Sequence, residues 1–489
     1  MPEAPRYAAV DVGATSGRVV TGRLEPDGRV VLEEAHRFPN RPVRLPDGLR
    51  WNLLHSFTEA LEGLRAAGPL AGVGVDTWGV DYALLDGAGR VLGLPFHYRD
   101  ERTNGMIERA FGRVAAEEVY ALTGIQTMPI NTLFQLLADE DSGALARAER
   151  LALVPDLLAF WLSGDLANEK TNASTTGLLD ARSGEWARDL VGRLGLPGGL
   201  FGPLVEPGTA LGPLLAHHEL GDPTVYAVAS HDTASAFAAA PVDDEHSAIL
   251  SSGTWSLLGV ELPAPVLSDA ARGANLTNER GVDGTTRLLK NVMGMWLLEE
   301  CRRGWGAQAS YEELLRLAEA ADGGGDAPLF DPDDPSFLAP GDMPGRIAAA
   351  CTASGQEPPG GRGAIVRAIL QSLACKYRWV LERLEAVSGR DVHRIHVIGG
   401  GARNTVLCRQ TAEITGLPVL AGPVEATALG NVLVQLRGAR ELGSLAEMRV
   451  VASSSASPIV HEPTGNRSLA DATYERFLAL TGLNTPTEA

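Results

Sequence analysis

Two stretches of the chain, far apart in sequence, share one plan. Tyr7–Leu24 reads YAAVDVGATSGRVVTGRL and Ala248–Leu262 reads AILSSGTWSLLGVEL. In each, an apolar run enters a turn of glycine and hydroxyl residues and a second apolar run leaves it, the signature of a β-hairpin. In the first copy the runs are Ala8–Val12 and Val19–Leu24. Self-similarity at such a separation predicts two related domains, each opening with a hairpin.

The rest of the pattern is mixed α/β. Helical periodicity marks Leu53–Ala66, Met106–Thr123, Thr132–Ala148, Ala152–Leu162, Thr233–Ala240, Met293–Arg303, Ser310–Ala321, Gly363–Ser388, Asn404–Thr415 and Ala426–Leu436. Strands are predicted on both sides of a tight turn within Leu70–Leu85, and at Thr224–Ala229, His393–Ile398 and Val419–Ala421. A boundary at Pro241–Glu245 divides the chain into segments 1–240 and 241–489. The Gly-, Asp- and Pro-rich stretch Gly323–Pro344 reads as a long surface loop, and Asn484–Ala489 as a frayed tail.

Composition narrows the function classes. The net charge of −19 opposes a nucleic-acid or anionic-membrane partner, since phosphate surfaces select basic proteins. One basic pocket for a small phosphorylated metabolite is still compatible with it. The four cysteines include no CxxC pair, which opposes a zinc site or redox pair and suits a reducing, cytoplasmic compartment. No apolar run reaches the ~18 residues of a membrane span, and Met1–Arg18 has no signal-type apolar region.

Five features could carry chemistry. The turn Asp11–Arg18 can direct backbone N–H groups inward as a phosphate nest, with Asp11 beside it to hold a cation-bound water; a capped surface turn is the competing reading. Ser251-Ser252-Gly253-Thr254 offers the same donors without a charge, or is an ordinary hydroxyl-rich turn. Gly399-Gly400-Gly401, between a strand and a helix, permits close approach of a flat ring or a phosphate, or is simply a tight connection. At Ser230-His231-Asp232-Thr233, Asp232 is either a helix cap or a carboxylate taking a proton from a substrate hydroxyl. The turn Asp76-Thr77-Trp78-Gly79-Val80-Asp81 offers a ring face and hydroxyl acceptors for a sugar, or holds a packed Trp.

Together these motifs resemble the FGGY carbohydrate kinases, and among them the rhamnulokinase group. The most specific matches are VDTWGVDYALLD at Val75–Asp86, PFHYRDERTNGM at Pro95–Met106, LTGIQTMPINTLFQLLA at Leu122–Ala138 and TNASTTGLLD at Thr171–Asp180. ASHDTASA at Ala229–Ala236, SSGTWSLLGVE at Ser251–Glu261, LLKNVMGMWLLEE at Leu288–Glu300, IGGGARN at Ile398–Asn404 and AGPVEATALGN at Ala421–Asn431 complete the set.

The resemblance implies two ribonuclease-H-like (actin-like ATPase) α/β domains with an interdomain cleft for ATP and sugar, closing on ligand. It implies ATP-dependent, Mg²⁺-assisted phosphorylation of L-rhamnulose to L-rhamnulose 1-phosphate by a monomer or small homo-oligomer. By the same resemblance Ala14, Thr15, Ser16, Gly17 and Arg18 match the ATP phosphate turn, Thr254 the second phosphate hairpin and Gly400 the adenosine-side glycine. Gly79, His231, Asp232, Thr233 and Asn291 match sugar contacts, Asp232 as general base and Asp11 on the metal side. Glu299 stands at a nucleotide-contact position where glutamine is expected, which trades amide donors for a charge. Alternatives are another FGGY ketose kinase acting on L-fuculose or xylulose, an actin- or chaperone-like ATP-regulated binding protein, or a sugar-sensing pseudokinase. The sugar-side segments favour rhamnulose over the first. The acids Asp11 and Asp232 oppose the last.

Overall fold

The structure is a computed structural model that describes residues 4–306, 310–321 and 327–484. The chain forms two compact units. One comprises Met1–Pro241, Glu261–Leu288 and Ala426–Ala456; the other comprises Val242–Val260, Leu289–Glu425 and Ser457–Ala489.

The first unit is built on a six-stranded sheet. Its strands are β1 (Tyr7–Val12), β2 (Ser16–Leu24), β3 (Val30–Pro39), β4 (Gly72–Thr77), β5 (Thr209–Pro213) and β6 (Thr224–Ala227), in the order β5-β6-β4-β1-β2-β3. The first hairpin is present: β1 and β2 pair antiparallel from Tyr7↔Gly22 to Val12↔Gly17. On its other side β1 runs parallel to β4, which runs parallel to β6. With a neighbour on each side, every residue of β1 is buried, and its sequence has the unbroken apolar character of a central strand except at Asp11.

The second unit repeats this plan. Strands β7 (Ser247–Ser252), β8 (Ser256–Leu262), β9 (Thr286–Val292), β10 (Arg394–Ile398), β11 (Val419–Ala421) and β12 (Ile459–His461) are neighbours in the order β9-β8-β7-β10-β11-β12. Again a hairpin, β7 with β8, lies beside two parallel strands, β10 and β11. The doubled hairpin is therefore the opening of a doubled sheet.

Several element boundaries differ from the sequence expectation, each for a local reason. Met106–Thr123 is two helices, Met106–Phe111 and Ala116–Thr123, parted after Gly112. The helix from Thr132 stops at Ser142, where Gly143 takes a left-handed cap. Arg150–Leu153 is a strand, and the helix begins at Val154 with Pro155 in its first turn. The long helix Arg362–Ser388 and the helix Thr405–Thr415, capped by the Asn404 side chain, match closely.

Two larger differences concern packing. The helix Ala426–Gly438, assigned by sequence position to the second segment, belongs to the first unit. Val432, Leu433 and Leu436 share one core with Tyr7, Ala9, Tyr226 and Val228. Gln435 Nε2 donates to the Ala8 carbonyl at 3.0 Å. The expected surface loop is also corrected. Residues 323–326 lie outside the described residues, as do 485–489 of the expected tail. From Ala327 onward Leu329, Phe330, Phe337 and Met343 are buried, and a helix starts at Met343. The segment is irregular and only partly a surface loop: Asp334–Ser336 and Pro340–Asp342 are exposed, while those apolar side chains enter the core. No helix among the described residues is long and apolar enough to cross a membrane. All four cysteines are free and buried, and burial raises the thiols of Cys301, Cys375 and Cys408 to about 12.

The helices Asp232–Ala238 and Ala426–Gly438 meet at Gly430, where a Cβ would fall 1.8 Å from the Ser235 carbonyl oxygen. Backbone cannot yield as a side chain can. Gly430→Ala is expected to separate these helices at a cost of about 1–3 kcal/mol, and to lower the melting temperature. An unchanged melt would show that the contact is not tight.

Candidate active site

In the first unit the acidic end of β1 gathers the candidate residues. Asp11, at the exit of β1, accepts from Arg18 Nε at 3.0 Å and Nη2 at 2.8 Å, both on Oδ2. The turn between them is held from below: Asn40 Nδ2 donates to the Gly13 carbonyl at 2.9 Å, and Asn40 N to the Thr15 carbonyl at 3.0 Å. Gly13 N donates to the Ser16 carbonyl at 2.9 Å. Thr15 is exposed, Ala14 and Ser16 are half-buried, and Gly17 is buried. Arg18, expected at phosphate, is thus committed to Asp11 in this state.

Parallel register places Asp76 of β4 directly beside Asp11. Asp76 is 0% exposed; Asn431 donates to its Oδ2 at 2.5 Å, while its Oδ1 has no hydrogen-bond partner among the described residues. Burial, then the charge of Asp11, pushes its pKa well up. No group of three His, Cys, Asp or Glu side chains among the described residues is assembled to hold a metal ion.

Asp232 is the first residue of its helix, with His231 as the extended capping residue. It therefore does not fill the cap position that the competing sequence reading offered. Its Oδ1 accepts from Thr233 N at 2.5 Å and Thr233 Oγ1 at 3.1 Å, and lies 3.5 Å from His231 Nε2. Its pKa is raised, chiefly by desolvation; His231 opposes this and Asp11 adds to it.

The preceding loop is fixed by a residue the sequence reading missed. Glu169, 1% exposed, accepts from Thr171 N at 2.7 Å, Thr171 Oγ1 at 2.6 Å and Asn172 N at 3.2 Å. It also accepts from Ser230 N at 3.0 Å and Ser230 Oγ at 2.9 Å. Also missed were Glu279 and Arg287, buried against His231. Glu279 lies outside every motif singled out in the sequence, and Arg287 directly precedes the LLKNVMGMWLLEE stretch without being part of it.

The DTWGVD turn is tight. Val80 sits at φ 67°, a sparsely populated region for a β-branched residue. Thr175 Oγ1 accepts from its N–H at 3.1 Å and Thr132 Oγ1 donates to its carbonyl at 2.6 Å. Gly79 faces Thr175, which a Cβ would meet at 3.0 Å. Trp78 is packed, not presented as an open face: its ring lies 3.9 Å from that of Trp51, which in turn stacks on His97 at 4.2 Å. Asp81 organises this cluster by accepting from Trp51 Nε1 at 2.5 Å, Trp78 Nε1 at 2.9 Å and Gln135 Nε2 at 2.8 Å.

In the second unit, the second hairpin and the triple glycine come together. Ser251 pairs with Ile398 in parallel register, so the end of β7 lies beside Gly399–Gly401. A Cβ on Gly401 would sit 2.0 Å from Ser252 Oγ, whereas one on Gly400 would meet nothing within 4 Å among the described residues. One glycine serves packing and the next leaves open space. A short 3-10 turn, Gly400–Arg403, separates them from the α-helix. Thr254 O accepts from Trp296 N at 3.0 Å and Gly253 O from Met295 N at 3.1 Å. Asn291 is half-buried on β9. Glu299 pairs with Arg302 at 2.6 Å, so its charge is balanced within its own helix. Lys376, 2% exposed, pairs with Asp331 at 2.8 Å and Asp333 at 3.2 Å, and Asp333 accepts from Met293 N at 2.9 Å. These contacts anchor the 327–337 segment beside the hairpin-capping strand end.

The FGGY family of carbohydrate kinases matches residues 7–237 with its N-terminal domain and 248–439 with its C-terminal domain. A rhamnulokinase of Bacteroides thetaiotaomicron is 43% identical over 96% of this chain and 98% of its own length. The chain belongs to the FGGY carbohydrate kinases. Other rhamnulokinases, from Enterococcus faecalis and Bacillus subtilis, are 39% and 37% identical over 98% and 92% of the chain, and over 98% and 93% of their own lengths. The kinase also shares its fold with solved structures at low identity. A gluconate kinase from Lactobacillus acidophilus has a TM-score of 0.79 at 16% identity, with 98% of each chain covered. A Plasmodium falciparum glycerol kinase with ADP has a TM-score of 0.74 at 15%, again with 98% of each chain covered.

Asp81 gives this FGGY kinase a stability signature. Burial raises its pKa to about 6, against its three side-chain donors, from an ordinary value of about 3.9. The folded state then holds a proton that the unfolded chain has lost, so this contribution is full below pH ~4 and is lost as pH rises through ~6. Asp81→Asn cannot ionise. The stability gap between wild type and Asp81→Asn should shift toward the variant by a few kcal/mol between pH 4 and pH 7. A gap constant over that range would refute it.

Proposed function

We propose that this kinase transfers the γ-phosphoryl group of ATP to O1 of L-rhamnulose. The observation that carries the reaction is Asp232, a carboxylate whose polar contacts among the described residues all fall on Oδ1, leaving Oδ2 for a substrate hydroxyl. Its raised pKa improves it as a proton acceptor, and a loose phosphoryl-transfer transition state demands only modest basicity. The sugar assignment rests on the full-length relatives named rhamnulokinase.

In this reading the first unit binds sugar through Gly79, His231, Asp232 and Thr233, and phosphate through the Ala14–Gly17 amides. The second unit offers Thr254 and the open Gly400 to the nucleotide. A nucleotide contact at Glu299 would be to a carboxylate–guanidinium pair. The donor set also fits a hard divalent cation, since the orphaned Asp76 Oδ1 lies beside Asp11 and Mg²⁺ is commonly held by one or two carboxylates plus phosphate oxygens. Asp11 and Asp76 would hold it, and it would neutralise charge on the phosphates. Arg18 balances Asp11 until then.

A coupled ADP-release assay across L-rhamnulose, L-fuculose, L-xylulose, D-xylulose and glycerol should give the highest kcat/KM for L-rhamnulose. A higher value for D-xylulose or glycerol would leave only the family. Asp232→Asn should lose about 10²–10⁴-fold in kcat with the KM for ATP little changed. Asp11→Asn should instead shift the Mg²⁺ dependence as well as the rate. Near wild-type turnover by Asp232→Asn would remove it as the base.

A further inference from the structure

Behind Asp232 lies a charged network that bears on the proton of His231. Arg287 is 0% exposed. Its Nη2 lies 3.3 Å from His231 Nδ1 and 3.1 Å from Glu279 Oε2, and its Nε donates to the Arg280 carbonyl at 3.1 Å. A guanidinium has donors only. The ring nitrogen that faces it must accept, which leaves the imidazole proton on Nε2. Nε2 is the ring nitrogen nearer Asp232 Oδ1, 3.5 Å away.

Glu279 cannot bond the lone pair on Nδ1, although its Oε2 is only 3.4 Å from it. Its part in this arrangement is to balance the buried guanidinium. Remove that guanidinium and the same carboxylate would draw a proton onto Nδ1, making the ring an imidazolium or turning its tautomer. The buried pair therefore chooses between two states of His231.

We propose that Arg287, balanced by Glu279, is a positioning residue that holds His231 as the neutral Nε2–H tautomer. That state leaves Nε2–H as the ring's one donor, within reach of Asp232 Oδ1 and free to be shared with a sugar hydroxyl, while Oδ2 is left for the hydroxyl that reacts. The proposal rests on the reading of Asp232 as the base, but its first test does not use activity. In the full-length protein labelled with ¹⁵N-histidine, two-bond proton–nitrogen spectra at neutral pH distinguish the tautomers. The His231 signal is identified by its loss in His231→Gln.

The expected wild-type pattern is a protonated Nε2 with an unprotonated Nδ1. An Nδ1–H tautomer or a doubly protonated ring would overturn the proposal, whether or not any Arg287 variant folds. Arg287→Met should convert that signal, and should lower kcat about 10- to 100-fold with the KM for ATP nearly constant. Arg287→Lys, which still donates, should restore part of both. Wild-type kcat in Arg287→Met would overturn the positioning role. The expected spectrum in a protein that phosphorylates no sugar would instead overturn the proposed function and leave the tautomer assignment standing.

Discussion

The site in the first unit depends on a buried carboxylate whose hydrogen-bond donors are uncharged. Glu169 Oε2 alone accepts from Thr171 Oγ1, Asn172 N, Ser230 N and Ser230 Oγ. A carboxylate carrying this many donors can stay in the interior, and each donor it satisfies would otherwise be an expensive buried orphan. The result is a rigid seam joining the 169–172 turn to the residue before His231. Thr77 N donates to the Ser230 carbonyl at 2.9 Å, so the end of β4 is sewn into the same seam. Asp76 and Asp232 are thereby set by one set of backbone bonds.

The two sheets repeat one topology yet use different chemistry at the same place. The first hairpin turn carries an acid and an arginine, and its strand end is flanked by further acids. The second is neutral, and its neighbourhood is glycine: Gly401 against Ser252, and Gly294 where a Cβ would sit 2.4 Å from Ser256 Oγ. Its charges lie further back, in Lys376 with Asp331 and Asp333. Lys290, drawn down to about 8 by burial, belongs to the same cluster. A neutral, close-packed turn suits backbone contact with a nucleotide, whereas the acid-rich turn suits metal and proton chemistry.

What could be read from the sequence was local. The hairpins, the triple glycine turn and the capped helix at Asn404 each depend on residues within a few positions, and all are present. What could not be read was made by distant partners. Asp76 stood in a recognised motif, but its importance comes from β-register with Asp11 and from Asn431, far along the chain. Glu279 and Arg287 are single charges in a strand region, and only folding places them against His231. The helix Ala426–Gly438 returns to the first unit because its apolar face fits that sheet, a fact that chain order conceals. Composition misjudged the segment after Ala327 because irregular buried chain has no periodicity to detect, and Asp331 and Asp333 look solvated until Lys376 is placed between them.

Besides Asp11, four acids of the same unit lie in buried or partly buried places, and their environments sort them by task. Asp81 is saturated: its donors span both oxygens and it serves the aromatic cluster. Glu169 is likewise saturated and serves the loop. Asp76 has one donor and, among the described residues, one orphaned oxygen in complete burial, which puts it out of reach of a substrate proton and, in the proposed reading, leaves it to a cation. Asp232 differs from all three. It is partly exposed, with side-chain exposure of 30%, and its contacts load one oxygen only. Its charge is opposed by Asp11 and supported by His231. A base must be reachable, must have a free lone pair, and must gain from accepting a proton. Among these four acids only Asp232 meets all three conditions, and that supports its proposed role as the base.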